Sequence, residues 1–409
     1  MELALFGGKP VIEYEEQKVL PAYIKVAVNK YIYQDGELSI AGKQGVIGQL
    51  ENIFSEEYKQ KYAISLNSGT NCIFSALFAL GVGDGDEVIA PAYGFHACIS
   101  SIFLLRAVPV FCDCEDDNVN MSAEKLESLI TSRTKAIVVV HNWGAAADIE
   151  KIVEIAHERN IAVIEDCSHA HGSKYKNKNV GQFGDISVFS LQANKTVYAG
   201  EGGILLTSNE KIYKRALLLG RYRAKGYIND LEEDDLLETG YGLKFRMHPL
   251  GAVIAISTFE HMDEIINERN TVAGMLNDVL TDLKLISPPV IKEYVTRHSY
   301  YGYKPLFNDR EKGLMNLYVE ALQKEGVNIH IATYRLNPDL SLFKGEYRKV
   351  LGSRNTIIET DISNARLLNS RIMSLELPTG NGCIDITKRY IDAFYKVENN
   401  LDKLRKVVG

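Results

Sequence analysis

Ser190-Leu-Gln-Ala-Asn-Lys195-Thr-Val-Tyr-Ala-Gly200-Glu-Gly-Gly203 is the stretch from which the rest of the chain can be read. It follows the apolar run Ile186-Ser-Val-Phe189 and leads into Gly203-Ile-Leu-Leu-Thr207, so a hydroxyl, an amine and a glycine-rich turn sit between two strand-like segments. Upstream, Asp166 follows Ala162-Val-Ile164-Glu165. An amine can form a Schiff base, a hydroxyl can hold phosphate, and a carboxylate can pair with a ring nitrogen. Those are the requirements of pyridoxal 5′-phosphate. With 46 Lys+Arg residues a single lysine carries no information. The joint placement at the ends of apolar runs does.

Working outward, residues 60–210 alternate short apolar runs with helical stretches. Tyr62–Leu66, Val88–Ala90, Val108–Phe111, Ala136–Val140, Ala162–Ile164 and Ile186–Phe189 read as strands, and Gly203–Thr207 as one more, for which antiparallel pairing is open. Ile73, Phe74, Leu77 and Leu80 recur at helical spacing, and further helices are expected near 122–130 and 148–158. Strands buried on both faces and alternating with helices imply a mostly parallel sheet. Ligands of such sheets gather beyond the strand C-termini, where Asp166, Ser190 and Lys195 fall, with Gly69 and Phe95 beside them.

At 409 residues the chain exceeds the size of one core. The expected division is an N-terminal arm (1–20), a large α/β domain (21–260) and a smaller α+β domain (261–409). A helix should start near His261 with Ile265, Val272, Leu276 and Val279 on one face. Tyr300–Leu306 reads as a strand, Gly313–Glu325 as a helix, and a final helix is expected with Asp385 as N-cap and Tyr390 to Leu404 along one face. A net charge of −7 argues against general binding to nucleic acid or acidic membranes. No basic-then-apolar leader and no membrane-length apolar stretch is visible, so a cytoplasmic protein is expected. The six cysteines are scattered as buried thiols would be, and no metal site is expected. Residues 221–238, basic and then acidic, read as a solvated excursion.

The individual roles follow from chemistry. Asp166 beside a pyridinium would keep the ring nitrogen charged. Its neighbour Glu165 should point the other way, because strand side chains alternate. His169 could pack on the ring or meet its 3-hydroxyl, and Phe95 could stack on the opposite face, with Tyr93 as the neighbouring choice. In Ser68-Gly69-Thr70, Gly69 lets a phosphate approach the backbone and Thr70 adds a hydroxyl at a helix start. Ser190 supplies a second hydroxyl. Tyr93, Gln192, His330 and Tyr334 are candidates for contacting the substrate.

The run from Ser190 to Lys195 with Gly200-Glu-Gly-Gly203 resembles the lysine motif of the sugar aminotransferase (DegT/StrS) family. Glu165-Asp166-Cys-Ser-His169-Ala-His-Gly172, Asn67-Ser-Gly-Thr70 and Pro91-Ala-Tyr-Gly-Phe95 match it in order. The resemblance implies the type I fold of PLP-dependent transferases and a homodimer. It makes Lys195 the Schiff-base lysine, Asp166 the pyridinium partner, and His169 and Phe95 the ring-sandwiching residues. Gly69, Thr70 and Ser190 become phosphate contacts. Many relatives carry Asn in a Gly-x-Asn-Tyr-Arg-Met stretch that reaches the neighbouring subunit's phosphate. Here it reads Gly242-Leu-Lys244-Phe-Arg246-Met, which puts Lys244 in that role.

Lys244, Leu5-Phe-Gly-Gly-Lys-Pro10 and His141-Asn-Trp-Gly144 look more like the branch with keto-cyclitol aminotransferases and aminohydroxybenzoate synthases. The implied reaction moves an amino group from glutamate or glutamine to the ketone of a nucleotide-linked keto-sugar or a keto-cyclitol. Elimination with aromatisation of the aminohydroxybenzoate type stays open, as does a non-catalytic regulator on the same fold.

Overall fold

A computed structural model describes residues 2–12, 20–221, 236, 238–309, 312–332, 334–343 and 358–408. Most of the excursion at 221–238 therefore lies outside the described residues. The centre is a seven-stranded sheet: β1 (Tyr62–Leu66), β2 (Glu87–Pro91), β3 (Val108–Cys112), β4 (Thr134–Val140), β5 (Ala162–Asp166), β6 (Ile186–Ser190) and β7 (Gly203–Thr207), in the order β1-β7-β6-β5-β4-β2-β3. Within the sheet β7 alone runs against both its neighbours, and the pairings among β2 to β6 are parallel. The antiparallel expectation for Gly203–Thr207 holds. Because β7 returns beside β6, Ser190 pairs with Gly203, and Leu66 of β1 pairs with Gly203 from the other side. The ends of β1, β5 and β6 and the start of β7 thus share one edge.

Alternation along the strands builds two cores. Val88, Ala90, Val138, Ile164, Val188 and Leu205 face one side, against α3 (Gly69–Ala79, after α1 at Ala22–Tyr33 and α2 at Gly45–Glu57) and the helix Glu210–Gly220. Ile89, Val139, Val163, Phe189, Ile204 and Leu206 face the other, against α2 and the helices Ile149–His157 and Pro249–Phe259. Burial on both faces is what made these strands read as continuous apolar runs.

A third core gathers helices Met262–Leu280, Lys312–Lys324 and Cys383–Glu398. Leu3 and Ile12 are buried in it. Glu325, fully buried, accepts from the backbone N–H groups of Ala4 (2.8 Å) and Val11 (3.1 Å) and from Lys396 Nζ (2.8 Å). The first residues of the chain are therefore fastened to its last third.

Two expectations for this region need correction. Residues 300–305 are irregular, joined to Leu375 by one isolated bridge at Tyr303, and the strand there is only Leu306–Phe307. Tyr300 takes a left-handed φ of 45°, which a strand does not admit. The final helix is two, Cys383–Glu398 and Leu401–Val408, and Gly382 at φ 85° stands at its N-cap where Asp385 was expected. Asp385 instead lies in the first turn, paired with Lys388 (3.5 Å). The Met262–Leu280 helix also buries Ile266 and Leu280, with Ile265 and Val279 on the flanks. No described helix is long and apolar enough to cross a membrane.

Candidate active site

At the shared strand edge lies a cavity of about 420 Å³, lined by residues that include Gly69, Thr70, Phe95, Asp166, His169, Ser190 and Lys195. Seven of the eight residues predicted from sequence thus meet in one place. Lys244 is exposed and does not line it. The chain at Phe245 and Arg246 pairs with Asn67 (2.7 Å) and Leu66, which leaves Lys244 facing outward beside that same edge.

The floor of the phosphate side is set by two glycines. A Cβ on Gly69 would lie 2.8 Å from the Ser190 Cβ, and one on Gly203 would lie 2.6 Å from the Ser68 carbonyl carbon. The first turn of α3 is thereby pressed between the end of β6 and the start of β7. Ser68 caps that helix, its Oγ accepting from Asn71 N–H (3.1 Å), a contact worth about 1 kcal/mol. Thr70 and Ser190 add hydroxyls beside the positive end of the helix.

Asp166 ends β5, nearly buried, and accepts from Ser168 N–H at 3.0 Å. Burial raises its pKa, while the Ser168 hydrogen bonds and the Lys195 charge pull the other way. Glu165 does point to the opposite face. Its carboxylate accepts from Gly181, Phe183 and Gly184 N–H (2.7–2.8 Å) and contacts His141 Nε2 (3.1 Å). His141 Nδ1 accepts from Ala147 N–H (3.0 Å). His141, Glu165 and Cys167 bring ligating atoms within 4.8 Å of one another, but the imidazole and carboxylate are already committed to protein partners. The trio is a structural hub.

Lys195 is carried by the loop between β6 and β7, and burial lowers its pKa to about 8, opposed by the Asp166 charge. Its Nζ donates to the Tyr301 hydroxyl at 3.2 Å and stands 4.3 Å from the centre of that ring. His169 stacks on Tyr301 (4.3 Å) and on Trp143 (5.1 Å). Burial and the nearby Lys195 and Lys304 charges hold His169 neutral by lowering its pKa well below the usual imidazole range. The backbone N–H of Trp143 points at His169 Nδ1 (3.5 Å), so the ring proton belongs on Nε2. Phe95, half exposed at 51%, lines the cavity with its ring against His96 (4.3 Å).

Of the candidates for contacting the substrate, Gln192 and Tyr334 line the cavity. His330 does not; it is exposed and bonded to Asn328 (2.8 Å). Tyr93 is buried, its hydroxyl accepting from Trp143 Nε1 (3.2 Å). Sequence reasoning missed Tyr301 altogether and noted Trp143 only within a motif. Consecutive tyrosines at 300 and 301 were the available signal.

A family model described as the DegT/DnrJ/EryC1/StrS aminotransferase family matches residues 28–376. The chain belongs to that family. It is 38% identical over 245 residues to GDP-perosamine synthase of Escherichia coli O157:H7, covering 60% of this chain and 65% of that protein. It is 32% identical over 318 residues to the L-glutamine:2-deoxy-scyllo-inosose aminotransferase of Micromonospora echinospora, covering 75% of each. The solved structure of an aminotransferase from Psychrobacter cryohalolentis superposes with a TM-score of 0.80 at 26% identity, over 95% of this chain and 100% of that one. The fold is type I of the PLP-dependent aminotransferases.

Proposed function

We propose that the chain uses pyridoxal 5′-phosphate to move an amino group from L-glutamate or L-glutamine to the ketone of a polyhydroxylated ring, a nucleotide-linked keto-sugar or a keto-cyclitol. The observation that carries this is the meeting of Lys195, Asp166 and His169 with the first turn of α3 in one cavity. The residues fit the group. The start of α3, Thr70 and Ser190 would take the phosphate, Asp166 the ring nitrogen, His169 Nε2–H the 3-hydroxyl, and Lys195 the aldehyde carbon. Bound there, the cofactor supplies a carrier for the amino group and a ring that accepts the electrons left when the donor's α-proton departs. Lys195, freed from the cofactor, would remove that proton and return it at the former aldehyde carbon, as a neutral amine can near pH 8. Asp166 would hold the opposing charge throughout.

The same reading makes the enzyme a homodimer in which Lys244 reaches the phosphate of the neighbouring site; its outward position beside the strand edge supports this. Six unpaired, buried cysteines suit a reducing cytoplasm. The testing experiment is a pair of half-reactions. Purified enzyme with L-glutamine or L-glutamate should lose its bound-aldehyde absorbance, and offering keto-inositols and nucleotide keto-sugars should restore it. A spectrum unchanged by both donors refutes the proposal.

A further inference from the structure

We propose that Tyr301 is the positioning residue for the Lys195 amine: its hydroxyl fixes where the freed amine waits and therefore which carbon its proton reaches. This rests on the aminotransferase reading above. The groups coupled to the amine are Asp166 on β5, His169 and His171 just after it, and Tyr301, which touches it; the charge of Arg269 on the Met262–Leu280 helix reaches His171 and Tyr301. Arg269 is turned to Thr196 Oγ1 (2.8 Å), and Asp166 acts through its field. Among the described residues, the hydrogen-bond partner of Lys195 Nζ is the Tyr301 hydroxyl. A phenol accepts from an ammonium and donates to a neutral amine, so one partner serves before and after a proton has moved.

The backbone around Tyr301 is built to hold it still. Trp143 and Gly144 take left-handed φ values of 57° and 102°, and Tyr300 takes 45°. The two turns interlock: Ser299 N–H donates to Gly144 O and Gly302 N–H to Trp143 O, both 3.2 Å. A Cβ on Gly144 would lie 2.6 Å from Ser299 Oγ, so the clasp closes only over a glycine. The Ser299 hydroxyl then reaches His169 O (3.2 Å), tying the turn to the segment after β5. Tyr300 is pinned by its stack on His298 (4.0 Å). A bulky residue held at positive φ beside a reactive group marks a site where precise presentation of the next residue matters.

The test is Tyr301→Phe, which keeps the ring and its stack on His169 and removes the hydroxyl alone. In the holoenzyme, kcat for the donor half-reaction should fall between about tenfold and hundredfold with the donor KM essentially unchanged. In cofactor-stripped protein, the pH dependence of Lys195 acylation, read by peptide mass spectrometry, gives the amine's midpoint. The bond to the ammonium is the stronger of the two it can make, so losing it should lower that midpoint by about half a pH unit. A hydroxyl that merely props the loop would expose Lys195 when removed and raise the midpoint toward that of a free lysine; that result, or an unchanged kcat and midpoint, overturns the proposal. If the wild type itself transfers from neither donor, the aminotransferase reading falls and takes this one with it. A working wild type matched by the variant sinks this proposal alone.

Discussion

Gly69 and Ser190 stand so close that a single methyl on the glycine would lie 2.8 Å from the serine Cβ. That closeness presses the start of α3 onto the strand edge and opens its N–H groups to the cavity. Gly69→Ala should therefore displace the helix start, weaken cofactor affinity by about tenfold or more, and cost about 1–3 kcal/mol of stability. Titration of the stripped protein with pyridoxal phosphate, together with urea melts, checks both effects.

Lys195→Ala should abolish borohydride-stable attachment of the cofactor and all transamination while leaving the protein folded. Removing an amine that burial disfavours should not destabilise the fold. Retention of a reducible lysine–cofactor bond on another residue would show the assignment to be wrong.

Adjacent carboxylates should separate cleanly. Asp166→Asn should lower kcat by about 10²-fold or more with little loss of stability, because only the charge facing the ring is removed. Glu165→Ala should instead cost about 3–5 kcal/mol, since three backbone N–H groups and His141 lose their buried acceptor. Steady-state kinetics beside urea melts on both variants decide it; near-normal turnover in Asp166→Asn would refute its role.

Burial lowers the pKa of Lys195 and of Lys304 to about 8. Above about 8 the folded state sheds protons that the unfolded chain keeps until about 10.4. The unfolded state then binds more protons, so stability of the cofactor-free protein should rise with pH across this window. Below about 8 the favourable contribution is gone. Urea midpoints measured at a series of pH values should show the rise in the wild type and a flatter profile in Lys195→Met and Lys304→Met.

The sheet was legible because strands covered on both faces write themselves as apolar runs, and Asp166, Ser190 and Lys195 were legible because they sit where those runs stop. Gly69 could be named for a close approach before its neighbour was known. Tyr301 could not. It enters the cavity through left-handed turns at Trp143, Gly144 and Tyr300 that lock together far apart in sequence, and no local periodicity reports such a clasp. The break between the last two helices was hidden for a different reason. Tyr390, Phe394, Val397, Leu401 and Leu404 are all buried, so their spacing runs on across the interruption at Asn399 and Asn400. The exposed polar face gave no sign of it.

The fastening of Ala4 and Val11 to Glu325 has a consequence for synthesis. A ribosome releases residues 2–12 early, yet their docking partner Glu325 emerges only after roughly four-fifths of the 409 residues. Until then Leu3 and Ile12 have no core to enter, and the late carboxylate must find them across a long closed loop. The third core should accordingly be the last part to mature, and nascent chains stalled before Glu325 should leave residues 2–12 open to protease.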